Sequence, residues 1–147
     1  MQPRASLKKC EILRRKNDIE TLFREGKPVR MFPLKILYQV QSRSEVKPKI
    51  QVMFVVSRRM VKKAVQRNRI KRCMREAYRL SKHDIFSLIA QKCPSIGQVR
   101  LALFFQSTSS EGVSTEKIKA VLKRGIEKMV TQISGEHSHN KTQPEES

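Results

Sequence analysis

The chain has 147 residues, enough for one domain with a single core. Its 32 Lys and Arg stand against 13 Asp and Glu, a formal charge of +19. That charge selects polyanionic partners, nucleic acid before an anionic membrane surface, within a Debye length of roughly 8–10 Å. No stretch approaches the ~20 apolar residues of a membrane span, the first residues lack the apolar run of a signal peptide, and Trp is absent.

The elements follow in chain order. Residues 1–16 form a basic, loosely packed segment ahead of the domain proper. "NDIETLFREG", Asn17 to Gly26, predicts a short helix, with Asn17 as cap, Glu20 at the capping-box position and Gly26 as its stop. Ile19, Leu22 and Phe23 are its apolar side. In "FPLKILYQVQ", Phe32, Leu34, Ile36, Tyr38 and Val40 alternate with the residues between them, the two-residue period of a strand. "SRSEVKPK" reads as a polar turn and "IQVMFVV", Ile50 to Val56, as a more buried strand. A basic helix begins between Val61 and Ala64, with a break expected near Ser81 and a shorter helix after it. "QVRLALFF", Gln98 to Phe105, predicts another strand. A last helix from Ser114 or Thr115 carries the stripe Ile118, Val121, Leu122, Ile126, Met129, Val130 and Ile133. The tail, residues 134–147, has no periodicity and is expected to be disordered. Residues 17–133 thus make one α+β domain, helices packed on a sheet.

Cys10, Cys73 and Cys93 are odd in number and not spaced for zinc, so they read as reduced thiols of a cytoplasmic protein. His83, His137 and His139 make no ligand set. No nucleophile–base constellation, Gly-rich phosphate loop or acid cluster of the kind two-metal nucleases use is visible. The chemistry is therefore expected to lie outside this chain.

The informative stretch is "AVQRNRIKRCMREAYRL", Ala64 to Leu80. Arg67, Lys71 and Arg75 share one helical row at i, i+4 spacing, and Asn68, Arg72, Arg75 and Arg79 make a neighbouring one. Ile70, Met74, Ala77 and Tyr78 lie on the other side. From Ser57 to Lys82 there are eleven Lys or Arg and one Glu, a net of +10. Like charges four apart destabilise a helix by a few tenths of a kcal/mol per pair, a penalty removed when phosphates lie against the face. Arginine leads lysine seven to four here, and its planar fork suits phosphate. A solvated face usually mixes its signs; this one does not.

The run "AVQRNRIKRCMREAYR" closely resembles the signature helix of the bacterial ribonuclease P protein component, an Arg-Asn-Arg triplet followed by a Lys-Arg pair and a further Arg. The matched positions are Ala64, Arg67, Asn68, Arg69, Ile70, Lys71, Arg72 and Arg75. "LFREGK", a Tyr-bearing strand and "SRR" before the helix stand in the family's order, and the likeness extends over roughly Leu7 to Ile133.

That resemblance implies a four-stranded mixed sheet packed with helices, a ribosomal-protein-like two-layer sandwich with a left-handed crossover through the basic helix. It implies a protein subunit of ribonuclease P, an endoribonuclease of tRNA processing whose catalyst is an RNA subunit using Mg2+ held mainly by that RNA and the substrate. The partners are the catalytic RNA subunit and precursor tRNA, with no membrane and no obligate protein partner; the reaction hydrolyses one phosphodiester bond to remove the 5′ leader. By position, Arg67, Asn68, Arg69, Lys71, Arg72 and Arg75 are the expected RNA contacts, with Arg58 and Arg59 beside them. Phe23, Ile19, Ile36 and Tyr38 are the expected leader-binding cleft, Ile19 standing where the family commonly has Phe. The alternative is a non-catalytic RNA-binding protein of ribosomal type; composition suits both and the signature helix favours the first.

Overall fold

The structure is a computed structural model that describes residues 7–42 and 49–142, with side chains as far as Gly135. A 3-10 turn at Lys9–Glu11 is followed by α1 (Lys16–Glu25), β1 (Lys27–Met31), β2 (Leu34–Ser42), β3 (Lys49–Val55), α2 (Ala64–Lys92), β4 (Ile96–Phe105) and α3 (Thr115–Thr142). The fold is α+β, with a four-stranded mixed sheet in the order β1-β2-β4-β3. β1 pairs with β2 and β2 with β4 antiparallel, while β3 runs parallel to β4. The long α2 is therefore the crossover that joins two adjacent parallel strands. Beside β3, the backbone of Ile12 bridges to Val52, so the N-terminal segment extends the sheet at that edge.

Strand alternation decides what each helix covers. Leu34, Ile36 and Tyr38 of β2, Val52 of β3, and Val99, Leu101, Leu103 and Phe105 of β4 point to one face. There they join Ile70, Met74, Ala77, Tyr78, Ile85 and Ile89 of α2 and Ile118, Leu122, Ile126, Met129, Val130 and Ile133 of α3 in the main core. The stripe expected on the last helix is this buried set, except that Val121 is only partly covered. On the opposite face α1 seals a smaller cluster, in which Leu13, Leu22 and Ala102 are buried and Ile19, Leu37, Met53 and Phe104 pack around them. Fully burying a side chain such as Leu22 is worth roughly 1.5–3 kcal/mol, so α1 is held by few contacts and needs each of them.

Several local expectations are corrected. Lys27–Met31 forms a strand that its Pro28 and alternating charges conceal; it is an edge strand, where a missing N–H is tolerated. The break near Ser81 does not occur: α2 is one helix of 29 residues, because Ser81, Ile85 and Ile89 continue its buried side without a Gly or Pro to interrupt it. Asn17 is not the cap of α1. Arg15 occupies that position, the helix begins at Lys16, and the Asn17 carbonyl instead accepts from the Thr21 hydroxyl at 2.8 Å. Gly26 does end α1, but at φ −70°, not in the left-handed region. Its requirement is steric, since a Cβ there would lie 2.4 Å from the Leu22 carbonyl oxygen.

The helix α3 runs on past Ile133, where the apolar stripe ends, to Thr142. Residues 143–147 of the expected tail lie outside the described residues, as do most of the "SRSEVKPK" turn and the first six residues of the N-terminal segment.

Candidate RNA interface

The start of α2 is built by its own arginines. Lys63, at the cap position, makes no side-chain cap. Arg67 does the tying instead: its Nη1 donates to the carbonyls of Val61 at 3.0 Å and Lys62 at 2.7 Å, closing the bend that leads into the helix. Arg69 reaches the β4–α3 loop, donating through Nη1 to the Val113 carbonyl at 3.3 Å and through Nη2 to the Ser110 carbonyl at 3.1 Å. Two of the six expected RNA contacts on α2 thus hold the helix in place relative to its neighbours.

The other four are free. Asn68, Lys71, Arg72 and Arg75 are exposed and have no hydrogen bond or ion pair with the described residues, and the same is true of Arg58 and Arg59 in the bend before the helix. Arg79, one turn beyond Arg75, is different: it pairs with Glu76, three residues earlier. Arg79's hydrogen bond holds the Glu76 carboxyl below its ordinary range, and the same bond raises the Arg79 guanidinium further. The result is a cationic face whose base is fixed by Arg67 and Arg69 and whose outward groups have no partner among the described residues. Planar guanidinium forks suit phosphate oxygens, because their fixed geometry loses less freedom per hydrogen bond formed.

The expected cleft divides between the two faces of the sheet. Phe23 stands on α1 with 51% of its surface exposed, and its ring lies 5.7 Å from that of Phe104 at an interplanar angle of 52°. Lys35 Nζ sits 5.5 Å from the centroid of the Phe104 ring. Ile19 is half-buried in the small cluster beneath α1. Ile36 and Tyr38 do not join this surface. Both are buried on the far face, where the Tyr38 hydroxyl donates to Oε1 of Gln132 on α3 at 2.9 Å. The reason is the two-residue period: Ile36 and Tyr38 share the inward phase with Leu34, so the residues facing α1 are Lys35, Leu37 and Gln39.

Phe104 and Lys35 are therefore surface residues that reading by position misses. A signal for Phe104 did exist. In "LFF", two successive aromatics on a strand must point to opposite faces, so one of them lies outside the main core.

Tyr78, in the core, has its hydroxyl pushed above the ordinary range, first by burial and then by the nearby charge of Glu11. Among the described residues, no group of three or more His, Cys, Asp or Glu side chains could hold a metal ion. None of their helices is long and apolar enough to cross a membrane.

A strongly cationic helix face and a small aromatic surface on the opposite side of the sheet define a basic α+β protein. Residues 7–130 match the family model for Ribonuclease P. The chain is 44% identical over 103 residues to the ribonuclease P protein component of Chlorobium phaeobacteroides, covering 67% of this chain and 68% of that one. It is 31% identical over 133 residues to the ribonuclease P protein component of Porphyromonas gingivalis, covering 90% of each. The fold is similar to that of the Staphylococcus aureus RNase P protein, with a TM-score of 0.57 at 18% identity over 81% of this chain and 94% of that one. It is also similar to that of the Thermotoga maritima protein, with a TM-score of 0.55 at 23% identity over 78% of this chain and 93% of that one. The chain belongs to the family of ribonuclease P protein components.

Proposed function

We propose that this chain assembles with the catalytic RNA subunit of ribonuclease P through the outer face of α2 and presents the 5′ leader of precursor tRNA to that RNA. Asn68, Lys71, Arg72 and Arg75, flanked by Arg58 and Arg59, contact phosphates of the RNA subunit. Phe23 and Phe104 give a ring surface for a leader base, with Lys35 beside it to meet the backbone. The protein's contribution is binding and orientation: it neutralises phosphate repulsion and fixes the leader relative to the bond that breaks. The described side chains offer no metal set, so the magnesium ions of the hydrolysis are assigned to the RNA subunit and the substrate. The setting is cytoplasmic, where precursor tRNA is processed in bacteria of this family.

The observation that carries this reading is the division of labour on α2. Arg67 and Arg69 are bonded to backbone carbonyls, which fixes the helix, while Lys71, Arg72 and Arg75 are exposed and have no partner among the described residues. The test is reconstitution. The purified chain, added to the ribonuclease P RNA of the same organism, is expected to release the leader from precursor tRNA at a magnesium concentration where the RNA alone is slow. Unchanged cleavage would refute the proposal, and co-purification of ribosomal RNA alone would favour a ribosomal role.

A further inference from the structure

Arg100 is the one charged side chain in the run "QVRLALFF", and it stands on β4, an inner strand covered on both faces. It points to the α1 side, in phase with Ala102 and Phe104. Its side chain is only 12% exposed. Nη2 donates to Oδ1 of Asp18, in the first turn of α1, at 3.2 Å. Nη1 donates to Oε1 of Gln39, its partner across β2, at 3.2 Å. Gln39 Nε2 in turn donates to Oε1 of Glu25, the last residue of α1, at 3.4 Å. The series Asp18, Arg100, Gln39, Glu25 thus ties both ends of α1 to the two inner strands.

Of the residues of α1, only Leu22 is buried, with Ile19 half-buried beside it. A helix held at one apolar point can pivot there, and bonds at both of its ends remove that freedom. Desolvating a guanidinium is costly, and a close carboxylate does little more than offset the cost, so the pair's use lies in placement more than in stability. The planar fork of Arg100 fixes direction as well as distance. Asp18 and Phe23 are joined by five residues of α1, about 7.5 Å along its axis. Arg100 and Phe104 are four residues apart on β4, roughly 13 Å. The Asp18–Arg100 and Phe23–Phe104 contacts are therefore two crossings of one helix–strand junction, and a change of angle at the first is carried to the second. We propose that Arg100 is a positioning residue for leader recognition: without touching RNA, it sets the angle of α1 on the sheet and so holds the Phe23 and Phe104 rings together as one surface. This rests on the leader-presenting role proposed above and names a residue on which that role depends.

The test is Arg100→Gln in the full chain, assembled with the RNA subunit. The preference for precursor over mature tRNA is expected to fall about tenfold, within the worth of one stacked base. The loss should appear as a raised KM for precursor with kcat held, while assembly with the RNA subunit and binding of mature tRNA hold. Because Arg100 already faces a carboxylate, the salt dependence of oligouridylate binding by the protein alone should not change; a slope shallower by ~0.7 would place a phosphate on Arg100 and overturn the inference. Asp18→Asn, which keeps the guanidinium, should show the same loss of preference. The two substitutions together should lose no more than the larger single loss, since both act on one contact, and multiplied losses would refute it. NMR of each variant gives a reading apart from activity. Cross-peaks between the Phe23 and Phe104 rings should weaken, while those between Phe54 and Tyr78, whose rings lie 6.1 Å apart where β3 meets α2, persist. Loss of both sets, or weakened assembly, would reduce Arg100 to a general support of the fold and overturn its positioning role; so would retention of both. If Phe23→Leu lowers the precursor preference and Arg100→Gln does not, the inference about Arg100 falls alone. If neither does, the leader-presenting proposal falls with it.

Discussion

The rings of Phe23 and Phe104 meet 5.7 Å apart across the junction of α1 and β4, so the aromatic surface is shared between a helix and a strand. Ile19, one turn before Phe23, is drawn into the small cluster beneath α1. Phe104 supplies from the sheet the second ring that Ile19 does not. Changing Phe104 to Leu keeps most of the apolar volume and removes the ring. The preference of the holoenzyme for precursor over mature tRNA is expected to fall by about 1–3 kcal/mol, the worth of one stacked base. Phe23→Leu should behave alike, and the double variant should lose less than the sum, because the two rings form one surface. Equilibrium binding of the two tRNA forms measures this; an unchanged preference in Phe104→Leu would remove that residue from the site.

Arg67 and Lys71 share a helical row but differ in what they touch. Arg67 holds the Val61 and Lys62 carbonyls, whereas Lys71 has no partner among the described residues. Arg67→Ala is therefore expected to lower folding stability by about 1–3 kcal/mol, the usual loss for charge-assisted hydrogen bonds. Lys71→Ala should leave stability within about 0.5 kcal/mol. It should also make the salt dependence of RNA-subunit binding shallower by roughly 0.7–0.9 units. Denaturant melts and binding at graded salt separate the two effects, and equal destabilisation by both substitutions would contradict the division of roles.

The same distinction marks how far the sequence could be read. Periodicity identified α1, β2, β3, β4 and α3 and the cationic side of α2, because burial imposes a regular spacing on apolar residues. It could not tell that Arg67 and Arg69 bond inward, since carbonyl acceptors are present in every residue and leave no mark in composition. β1 was hidden because an edge strand with one buried residue, Val29, has almost no apolar signal. Placing Ile36 and Tyr38 in the cleft failed on phase. Both faces of β2 are covered, one by α3 and the other by α1, so apolar character alone did not say which face held which residues.

Glu76 is the one acid on the basic face, and its partner is Arg79. Glu76→Gln removes the negative charge from that face, so affinity for RNA is expected to rise and its salt dependence to steepen by roughly 0.7–0.9 units. The pair is part-buried, with side-chain exposures of 28% for Arg79 and 42% for Glu76, and solvent screening keeps its contribution to the fold small. The sign follows from linkage. A carboxylate held below its ordinary range contributes above its unfolded-state pKa and loses that contribution as pH falls through the folded-state value. Any stability gap between the original chain and Glu76→Gln should therefore exist at neutral pH and close in acid. A gap that widens on acidification would show that Glu76 acts otherwise.

Gly125, buried in the middle of α3, lies directly over Ile36 of β2. A Cβ at Gly125 would stand 2.5 Å from Cδ1 of Ile36, but 3.7 Å from its Cγ1 and 3.8 Å from Cβ of Met31. One terminal methyl group is thus the obstacle. Alanine in a helix interior is favoured over glycine by up to about 1 kcal/mol, while forcing atoms into a packed core costs about 1–3 kcal/mol. With Ile36 fully buried, the methyl has little room to move, and the packing term wins: Gly125→Ala alone is expected to destabilise the chain. Ile36→Val removes Cδ1 and leaves Cγ1 at an ordinary contact distance. In that background Gly125→Ala should become stabilising, so the two substitutions couple with opposite sign to their separate effects. Urea melts of the four proteins in the cycle give the coupling directly. Additive losses would mean that α3 shifts away from the sheet on its own, and that Gly125 is not what sets the helix-to-sheet distance.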